Sequence, residues 1–446
     1  MGSDFNSPSS FSSSLESSRV DLSSSDTDQD GVFEKALLLD GDDGNSQYVL
    51  VTGGLGYIGS HTCLELLKSG YNVLIVDDLS NSYYRIFDKI LKASQEFHTC
   101  NQTALPKANL SIMDYGDVPA MRELFKEYVA GPVTAGITRR SRIIGVIHFA
   151  ALKQVEESIR SPLKYYENNI SAQLKLLKLL DEFNIRTYIF SSSASVYGSQ
   201  AAAGQLLCEE DCLHEPEITS FPSATGERLV HRPPNPNFTA ITNAYGRTKL
   251  FGEAILADLA RSDPSWKVIA LRYFNPIGGD ASGLLGEEPR TPSTTLPAAI
   301  SRVLTGATQN LNVYGDDWDS HDGTPIRDFI HVTDLARGHI AALAAASSSA
   351  SWSSKEEGGS VKENFRTFNL GTGSGHSVFE LVHTLEAVSR QAIPCRVVQR
   401  RPGDVMSSVA NTERAARELG WKTEMTLVDA CRDLCNYLEK GEKKKD

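Results

Sequence analysis

From Gln47 onward, short continuous runs of apolar residues alternate with stretches whose apolar positions recur at helical spacing. Tyr48-Val49-Leu50-Val51 is brief and apolar throughout, as a strand covered on both faces must be. Ile58 to Ser69 has helical spacing and stops at Gly70, and Val73-Leu74-Ile75-Val76-Asp77 is a second buried strand. The three together predict a βαβ unit. Ile143 to Phe149, Thr187 to Ser192 and Val268 to Leu271 predict further strands, with helices over Val118 to Tyr128, Leu163 to Asn184 and Tyr245 to Leu259. The alternation is that of an α/β protein with a doubly wound parallel sheet of Rossmann type. After Leu271 the run Arg272-Tyr273-Phe274-Asn275-Pro276-Ile277-Gly278-Gly279 shifts toward Pro and Gly, which predicts a smaller, less regular C-terminal substrate-binding lobe.

The organisation that follows is a Ser- and Asp-rich tail over 1–46, a cofactor domain over 47–275, a second lobe over 276–439 and a basic tail over 440–446. Segments such as Phe368-Asn369-Leu370-Gly371 look like strands that return to the main sheet. The tail lacks the apolar content for a core and the basic-then-apolar order of a signal peptide, so disorder is expected there. Four stretches interrupt the rhythm, near His98 to Ala108, Ala130 to Arg142, Ser199 to Asn243 and Ala346 to Lys362, and are expected to be surface excursions without chemistry.

Composition narrows the function. The chain has 446 residues, 40% of them hydrophobic, which suffices for a substantial core in one or two domains. A net charge of -12 argues against general affinity for nucleic acid or an anionic membrane surface. No apolar run is long enough to span a bilayer, so a soluble, cytoplasmic protein is expected. The seven cysteines are scattered and include no C-x-x-C. Cys208 and Cys212, like Cys431 and Cys435, have i,i+4 spacing but lack the further ligands of a zinc set, so the reading is reduced thiols and no metal.

Gly53-x-x-Gly56-x-x-Gly59 lies between the first strand and its helix, where glycines allow a tight turn and let backbone N–H groups approach a diphosphate. A purely structural glycine turn is the competing reading. Asp77, at the end of the second strand, is placed for ribose hydroxyls and would repel a 2′-phosphate, which favours NAD over NADP. Tyr245 and Lys249 stand four residues apart on one helix face. They follow the serine-rich strand end Phe190 to Gly198, so hydroxyls, a phenol and an amine converge where open α/β sheets bind ligands.

The order T-G-G-x-G-Y-I-G-S-H-T, H-F-A-A-L-K, P-L-K-Y-Y-E-N-N, S-S-S-A-S-V-Y-G, Y-G-R-T-K, L-R-Y-F-N-P, R-D-F-I-H-V-T-D-L-A and R-R-P-G-D resembles the extended short-chain dehydrogenase/reductase superfamily, in its UDP-hexose 4-epimerase branch. The likeness runs from about Tyr48 to about Leu438. It implies tightly held NAD, UDP-hexose substrates, a homodimer, and reversible oxidation at C4 of the sugar through a 4-keto intermediate. It makes Tyr245 the base, with Ser193 bonded to the same oxygen and Lys249 gripping the nicotinamide ribose. To act near neutrality a phenol must shift from about 10 by roughly three units, worth about 4 kcal/mol, which Lys249 and a positive nicotinamide can supply. The resemblance further assigns Gly53, Gly56, Tyr57, Ile58, Gly59, Asp77, Asn81, Phe149, Lys153, Asn168 and Phe274 to the cofactor side. Asn275, Arg327, Arg401 and Asp404 fall on UDP-sugar positions. Lys153 as a solvated helix lysine and Arg401 as a surface charge beside Arg400 are the bland alternatives.

Departures from the branch concern specificity. Ser111 stands where an adenine-contacting Asp is common, and Ser293-Thr294-Thr295 replaces a pair of asparagines. Ser408 stands where relatives carry either a bulky tyrosine or a small residue, and a small side chain leaves room for a 2-acetamido group. Interconversion of UDP-N-acetylglucosamine and UDP-N-acetylgalactosamine is therefore a further expectation. The alternatives are a UDP-arabinose 4-epimerase, another nucleotide-sugar enzyme of the superfamily, or an NAD-sensing regulator without catalysis. A dehydratase would need acidic residues beside the serines, where Ala194-Ser195-Val196 supplies none.

Overall fold

The computed structural model describes residues 45–130, 140–212, 214, 241–348, 364–401 and 404–442. In chain order the first half runs β1 (Tyr48–Thr52), α1 (Tyr57–Lys68), β2 (Asn72–Asp77), α2 (Arg85–Asn101), β3 (Ala108–Ile112), α3 (Val118–Glu127) and β4 (Ile143–His148). The short helices α4 (Val155–Arg160) and α5 (Pro162–Tyr166) then lead through a π-helical turn at Glu167–Ser171 into α6 (Ala172–Glu182), followed by β5 (Thr187–Ser191), α7 (Ala244–Ser262) and β6 (Lys267–Tyr273). The remainder is β7 (Asn275–Ile277), α8 (Leu296–Leu304), β8 (Leu311–Tyr314), β9 (Ile326–His331), α9 (Val332–Ser347), β10 (Phe365–Leu370), β11 (Gly375–Ser377), α10 (Val378–Ser389), β12 (Cys395–Val398), β13 (Ser407–Ser408), α11 (Glu413–Glu418) and α12 (Leu427–Glu442).

Seven of these strands form one parallel sheet in the order β10-β6-β5-β4-β1-β2-β3. The chain starts at β1, walks outward to β3, returns to β4 and walks the other way, so the order reverses between β1 and β4. Strand alternation explains the two cores. Val49, Val51, Val73, Ile75, Ile147 and Ile189 enter a layer with α1, α2 and α9. Leu50, Leu74, Val76, Val146, Tyr188 and Phe190 enter the opposite layer with α3, α6 and α7. Both faces are covered, which is why these strands read as unbroken apolar runs. This is the doubly wound Rossmann-type sheet that the pattern predicts.

A smaller region holds separate sheets: β11-β9-β13 with β7 beside β9, and the pair β8 and β12. Its own core comes from α8, α10 and α12, where Ile300, Leu381, Leu385 and Leu434 pack with the buried thiols Cys431 and Cys435. Cys208 and Cys212 flank one 3₁₀ turn at Glu209–Asp211 rather than sharing a helix face.

Three local expectations need correction. His98 to Ala108 is an excursion only over the loop 102–107: its start is the last turn of α2 and its end opens β3. His98 is buried and satisfied, with Nε2 3.0 Å from the Leu67 carbonyl oxygen and Nδ1 2.6 Å from Thr103 Oγ1, whereas residues 99–105 are exposed. The helix predicted over Leu163 to Asn184 is interrupted by the π-helical turn. Within Ser199 to Asn243, the part around 205–214 feeds a buried network described below. Residues 215–240, 131–139 and 349–363, the 1–44 part of the tail and 443–446 at the basic end lie outside the described residues. No described helix is long and apolar enough to cross a membrane.

Candidate active site

The loop after β1 is shaped by two obligatory glycines. Gly53 has φ of 68°, and a Cβ on it would stand 2.7 Å from the Ala150 nitrogen. A Cβ on Gly59 would stand 2.2 Å from the Gly53 carbonyl oxygen. Gly56 is less constrained, its nearest atom being 3.3 Å away. As N-cap of α1, Gly56 offers no side chain to the first-turn N–H groups, which include those of Tyr57 and Ile58. Such an end accepts an anion. The loop abuts β4 at the switch point: the N–H groups of Phe149 and Ala150 donate to the Thr52 carbonyl oxygen at 2.9 and 3.1 Å. Thr52 Oγ1 also lies 2.7 Å from Nδ1 of His148, whose burial, with help from the Lys249 charge, holds its pKa down at about 3.

Asp77 is drawn into this architecture. Its Oδ1 accepts from Ser82 Oγ at 2.6 Å and the Leu79 N–H at 3.0 Å, and Oδ2 accepts the Leu55 N–H at 3.0 Å. The carboxylate therefore ties the glycine loop to β2, with an acceptor direction on Oδ2 still open.

Tyr245 and Lys249 lie on α7, which is started by Asn243 capping the Gly246 N–H at 2.8 Å. Both are buried, at 7% and 3% exposure, so desolvation dominates their chemistry. Burial pushes the Tyr245 phenol up to about 12, while its hydrogen bond with Ser193 pulls the other way. Burial brings Lys249 down to about 7, against the Glu253 charge. Lys249 Nζ donates to the Ser191 carbonyl oxygen at 2.6 Å and sits 5.9 Å from the centre of the Tyr245 ring. Ser193 Oγ meanwhile accepts the Ser195 N–H at 3.2 Å. The three expected catalytic side chains thus converge at the carboxyl edge of β5.

The other predicted residues divide into groups. Tyr57 donates its hydroxyl to the Gly278 carbonyl oxygen at 2.8 Å. Asn81 Oδ1 accepts the Thr291 N–H at 3.0 Å, joining the β2 exit to the loop before α8. Phe149 packs 4.7 Å from the His339 ring. In the π-helical turn Asn169 is bonded to Leu152 and Thr248, whereas Asn168 contributes its carbonyl oxygen to Tyr115. Phe274 is buried in a cluster with Tyr197 and Leu250 rather than lining an open surface. Lys153 pairs at 3.2 Å with Glu287, whose other oxygen accepts from Thr295 Oγ1 at 3.4 Å. A cavity of about 220 Å³ between α8, α12 and Tyr57 also includes Glu287 in its wall, but none of Ser193, Tyr245 or Lys249.

The small sheet and the loop beside it hold the residues expected on the substrate side. Asn275 on β7 and Ser408 on β13 both pair with β9, Ser408 directly opposite Arg327. Arg327 lies 3.6 Å from Asp404, and the Arg401 guanidinium covers the Tyr314 ring at 3.6 Å.

Motif reading missed the buried network behind α7. Glu253 and Arg272 are both fully buried and paired at 2.7 Å. Glu253 also accepts from His214 at 2.6 Å and from Ser192, while Arg272 donates to the carbonyl oxygens of Glu209 and Cys212. Burial disfavours the Glu253 charge, but Arg272 and His214 overcome it and hold the carboxyl well below its usual range. A sequence signal existed: Glu253 follows Lys249 by four residues, as Lys249 follows Tyr245. Cys212, His214 and Glu253 have ligand atoms near one another, but Arg272 already occupies the charge-compensating place a cation would take.

A dinucleotide-type sheet whose switch point faces a helix bearing a buried tyrosine–lysine pair is the arrangement of short-chain dehydrogenase/reductase proteins. Within that class the chain belongs to the NAD dependent epimerase/dehydratase family, which it matches over residues 49–353. It is 40% identical over 389 residues to UDP-glucose 4-epimerase of Dictyostelium discoideum, covering 86% of this chain and 94% of that one. It is 42% identical over 395 residues to Bifunctional protein GAL10 of Pachysolen tannophilus, which covers 88% of this chain, and the chain spans about half the length (49%) of that relative. Among solved structures, UDP-glucose 4-epimerase of Bifidobacterium longum in complex with NAD+ and UDP superimposes with a TM-score of 0.69 at 36% identity, over 89% of this chain and 99% of that one.

Proposed function

We propose that this chain interconverts UDP-glucose and UDP-galactose by transient oxidation at C4 of the hexose, with NAD as its resident cofactor, in galactose metabolism. The observation that carries the reading is the convergence of Tyr245, Lys249 and Ser193 in a buried site at the carboxyl edge of the sheet. The glycine cradle fits the cofactor: the Gly53 and Gly59 backbone has no room for a Cβ, the α1 N-terminus has no side-chain cap, and Asp77 keeps one acceptor direction for a ribose hydroxyl. In this reading 47–275 carry the cofactor contacts and the reacting groups, and 276–439, with Asn275 at the boundary, hold the nucleotide of the UDP-sugar.

When bound, NAD+ supplies a reversible hydride acceptor and a positive ring charge. Tyr245 takes the proton of the sugar 4-hydroxyl as base, and Ser193 holds the same oxygen. In the protein alone burial leaves the phenol up at about 12, so positive charge is needed to ionise it near neutrality. Lys249 provides one such charge and is fixed by the Ser191 carbonyl oxygen. The 4-keto sugar then turns to present its other face, and Tyr245 returns the proton. Asn275, Arg327, Arg401 and Asp404 hold the nucleotide meanwhile, arginine forks suiting a diphosphate.

The small Ser408 beside Arg327 extends the reading to UDP-N-acetylglucosamine and UDP-N-acetylgalactosamine. Two copies pair through α4, α5 and α7, where Ile159, Leu163 and Phe251 are exposed at 54%, 80% and 44%. Leu163→Asp should turn a dimer into a monomer in sedimentation, and an unchanged mass would refute that pairing. The reducing cytoplasm suits the seven unpaired thiols.

The experiment is incubation of the purified protein with UDP-galactose, with chromatography of the nucleotide sugars and of cofactor released on denaturation. The reading predicts UDP-glucose at equilibrium and stoichiometric NAD. Unchanged UDP-galactose with NAD present would support a sensor instead.

A further inference from the structure

We propose that Glu253 is a positioning residue for the Tyr245 site, one buried carboxylate that shares the α7 face of Tyr245 and Lys249 and fixes the turn carrying Ser193. The inference rests on reading Tyr245, Lys249 and Ser193 as the reacting groups.

Tyr245, Lys249 and Glu253 recur every four residues along α7 and so share a helix face. Opposite them, three consecutive serines at the end of β5 face the same helix in sequence. The Ser191 carbonyl oxygen accepts from Lys249 at 2.6 Å and the Ser192 hydroxyl donates to Glu253 Oε1, which leaves Ser193, the next residue, beside the Tyr245 phenol whose pKa it lowers. The turn is thus fastened to α7 at two successive residues, and Glu253 makes the fastening next to Ser193.

Glu253 itself is immobilised. Arg272 Nε donates to its Oε1 at 3.0 Å, Arg272 Nη2 to its Oε2 at 2.7 Å, and the His214 Nε2 lies 2.6 Å from Oε2. A buried ion pair is weak as a device for stability, because well-packed apolar residues often serve as well or better. The charge therefore calls for another reason, and its neighbour supplies one.

The groups beside Lys249 are the Tyr245 phenol on the same helix, neutral His148 on β4, and the Phe190 ring and Ser191 carbonyl on β5, with the Tyr273 phenol on β6 bonded to the Ser191 hydroxyl at 2.6 Å. Burial has brought the amine down to about 7, and the Glu253 charge is what opposes that fall. Without it Lys249 would lose its proton at lower pH, and Tyr245 would lose the adjacent positive charge that favours its phenolate.

The test is a pH titration of the holoprotein carrying lysine labelled with carbon-13 at Cε, with the Lys249 resonance assigned by Lys249→Met. In Glu253→Gln the Lys249 midpoint should fall by about one pH unit or more. Glu253→Asp, which restores the charge, should return it toward wild type. Ser192→Ala keeps the charge and removes the fastening, so the midpoint should stay while kcat on UDP-galactose drops about ten-fold, with KM and bound NAD unchanged. A folded Glu253→Gln protein whose Lys249 titrates as in wild type, or Ser192→Ala with wild-type kcat, overturns the proposal. Should Glu253→Gln fail to fold, the kcat and KM of Ser192→Ala decide. Wild-type protein inert toward UDP-galactose would count against the epimerase reading, while the Lys249 midpoint still tests Glu253.

Discussion

Lys249 donates its ammonium to the main-chain carbonyl oxygen of Ser191 at 2.6 Å, inside a site where it is 3% exposed. That bond holds a charge beside Tyr245 and anchors the last residue of β5. Lys249→Met should reduce kcat by about 10²- to 10⁴-fold, the range of acid–base contributions, with the thermal midpoint preserved or raised because a buried charge has been removed. Steady-state kinetics and thermal unfolding of the same preparation check both halves.

The glycine loop gives a graded prediction for cofactor retention. Gly59→Ala would place a Cβ 2.2 Å from the Gly53 carbonyl oxygen and should strip NAD from the purified protein. Gly56→Ala meets its nearest atom at 3.3 Å and should retain more cofactor. Quantifying NAD released on denaturation ranks the two, and equal retention would count against the cradle.

Acid should destabilise the protein through histidines buried in neutral form. Burial holds His61 and His339 down at about 4 and His148 at about 3, against 6.5 for an exposed imidazole. As pH falls below 6.5 the unfolded chain takes up protons that these sites refuse until about 4, so the stability present above 6.5 is lost on acidification. Urea midpoints should be lower at about pH 5 than at about pH 7, and His339→Phe should shrink the difference.

In the proposed function the breadth of the sugar pocket turns on Ser408, which lies opposite Arg327 in the small sheet. Wild-type protein should act on UDP-N-acetylgalactosamine as well as UDP-galactose, and Ser408→Tyr should abolish the first activity while sparing the second. Wild-type protein inactive on the N-acetyl sugar would sink this account of Ser408.

Much of this was legible before the structure. Strands covered on both faces, such as Val49 to Val51 and Val73 to Val76, show as unbroken apolar runs, and the glycine loop and Tyr245/Lys249 fall where their spacing predicts. What stayed hidden depended on tertiary partners. The polar end of α2 looks like loop until Leu67 and Thr103 are seen to satisfy His98. Glu253 looks like an ordinary helix glutamate until Arg272, nineteen residues on, meets it from β6. Lys153 shows only a positive charge in sequence, whereas its pairing with Glu287 needs a loop 134 residues away.

With Tyr245 as the base of a reversible oxidation at the sugar, Tyr245→Phe leaves the 4-hydroxyl without its proton acceptor. The replacement removes one hydroxyl from a ring already packed in the core. Turnover of UDP-galactose measured beside NAD content should fall by about 10²- to 10⁴-fold with the cofactor still bound. Wild-type turnover in Tyr245→Phe would mean that Tyr245 is not the base.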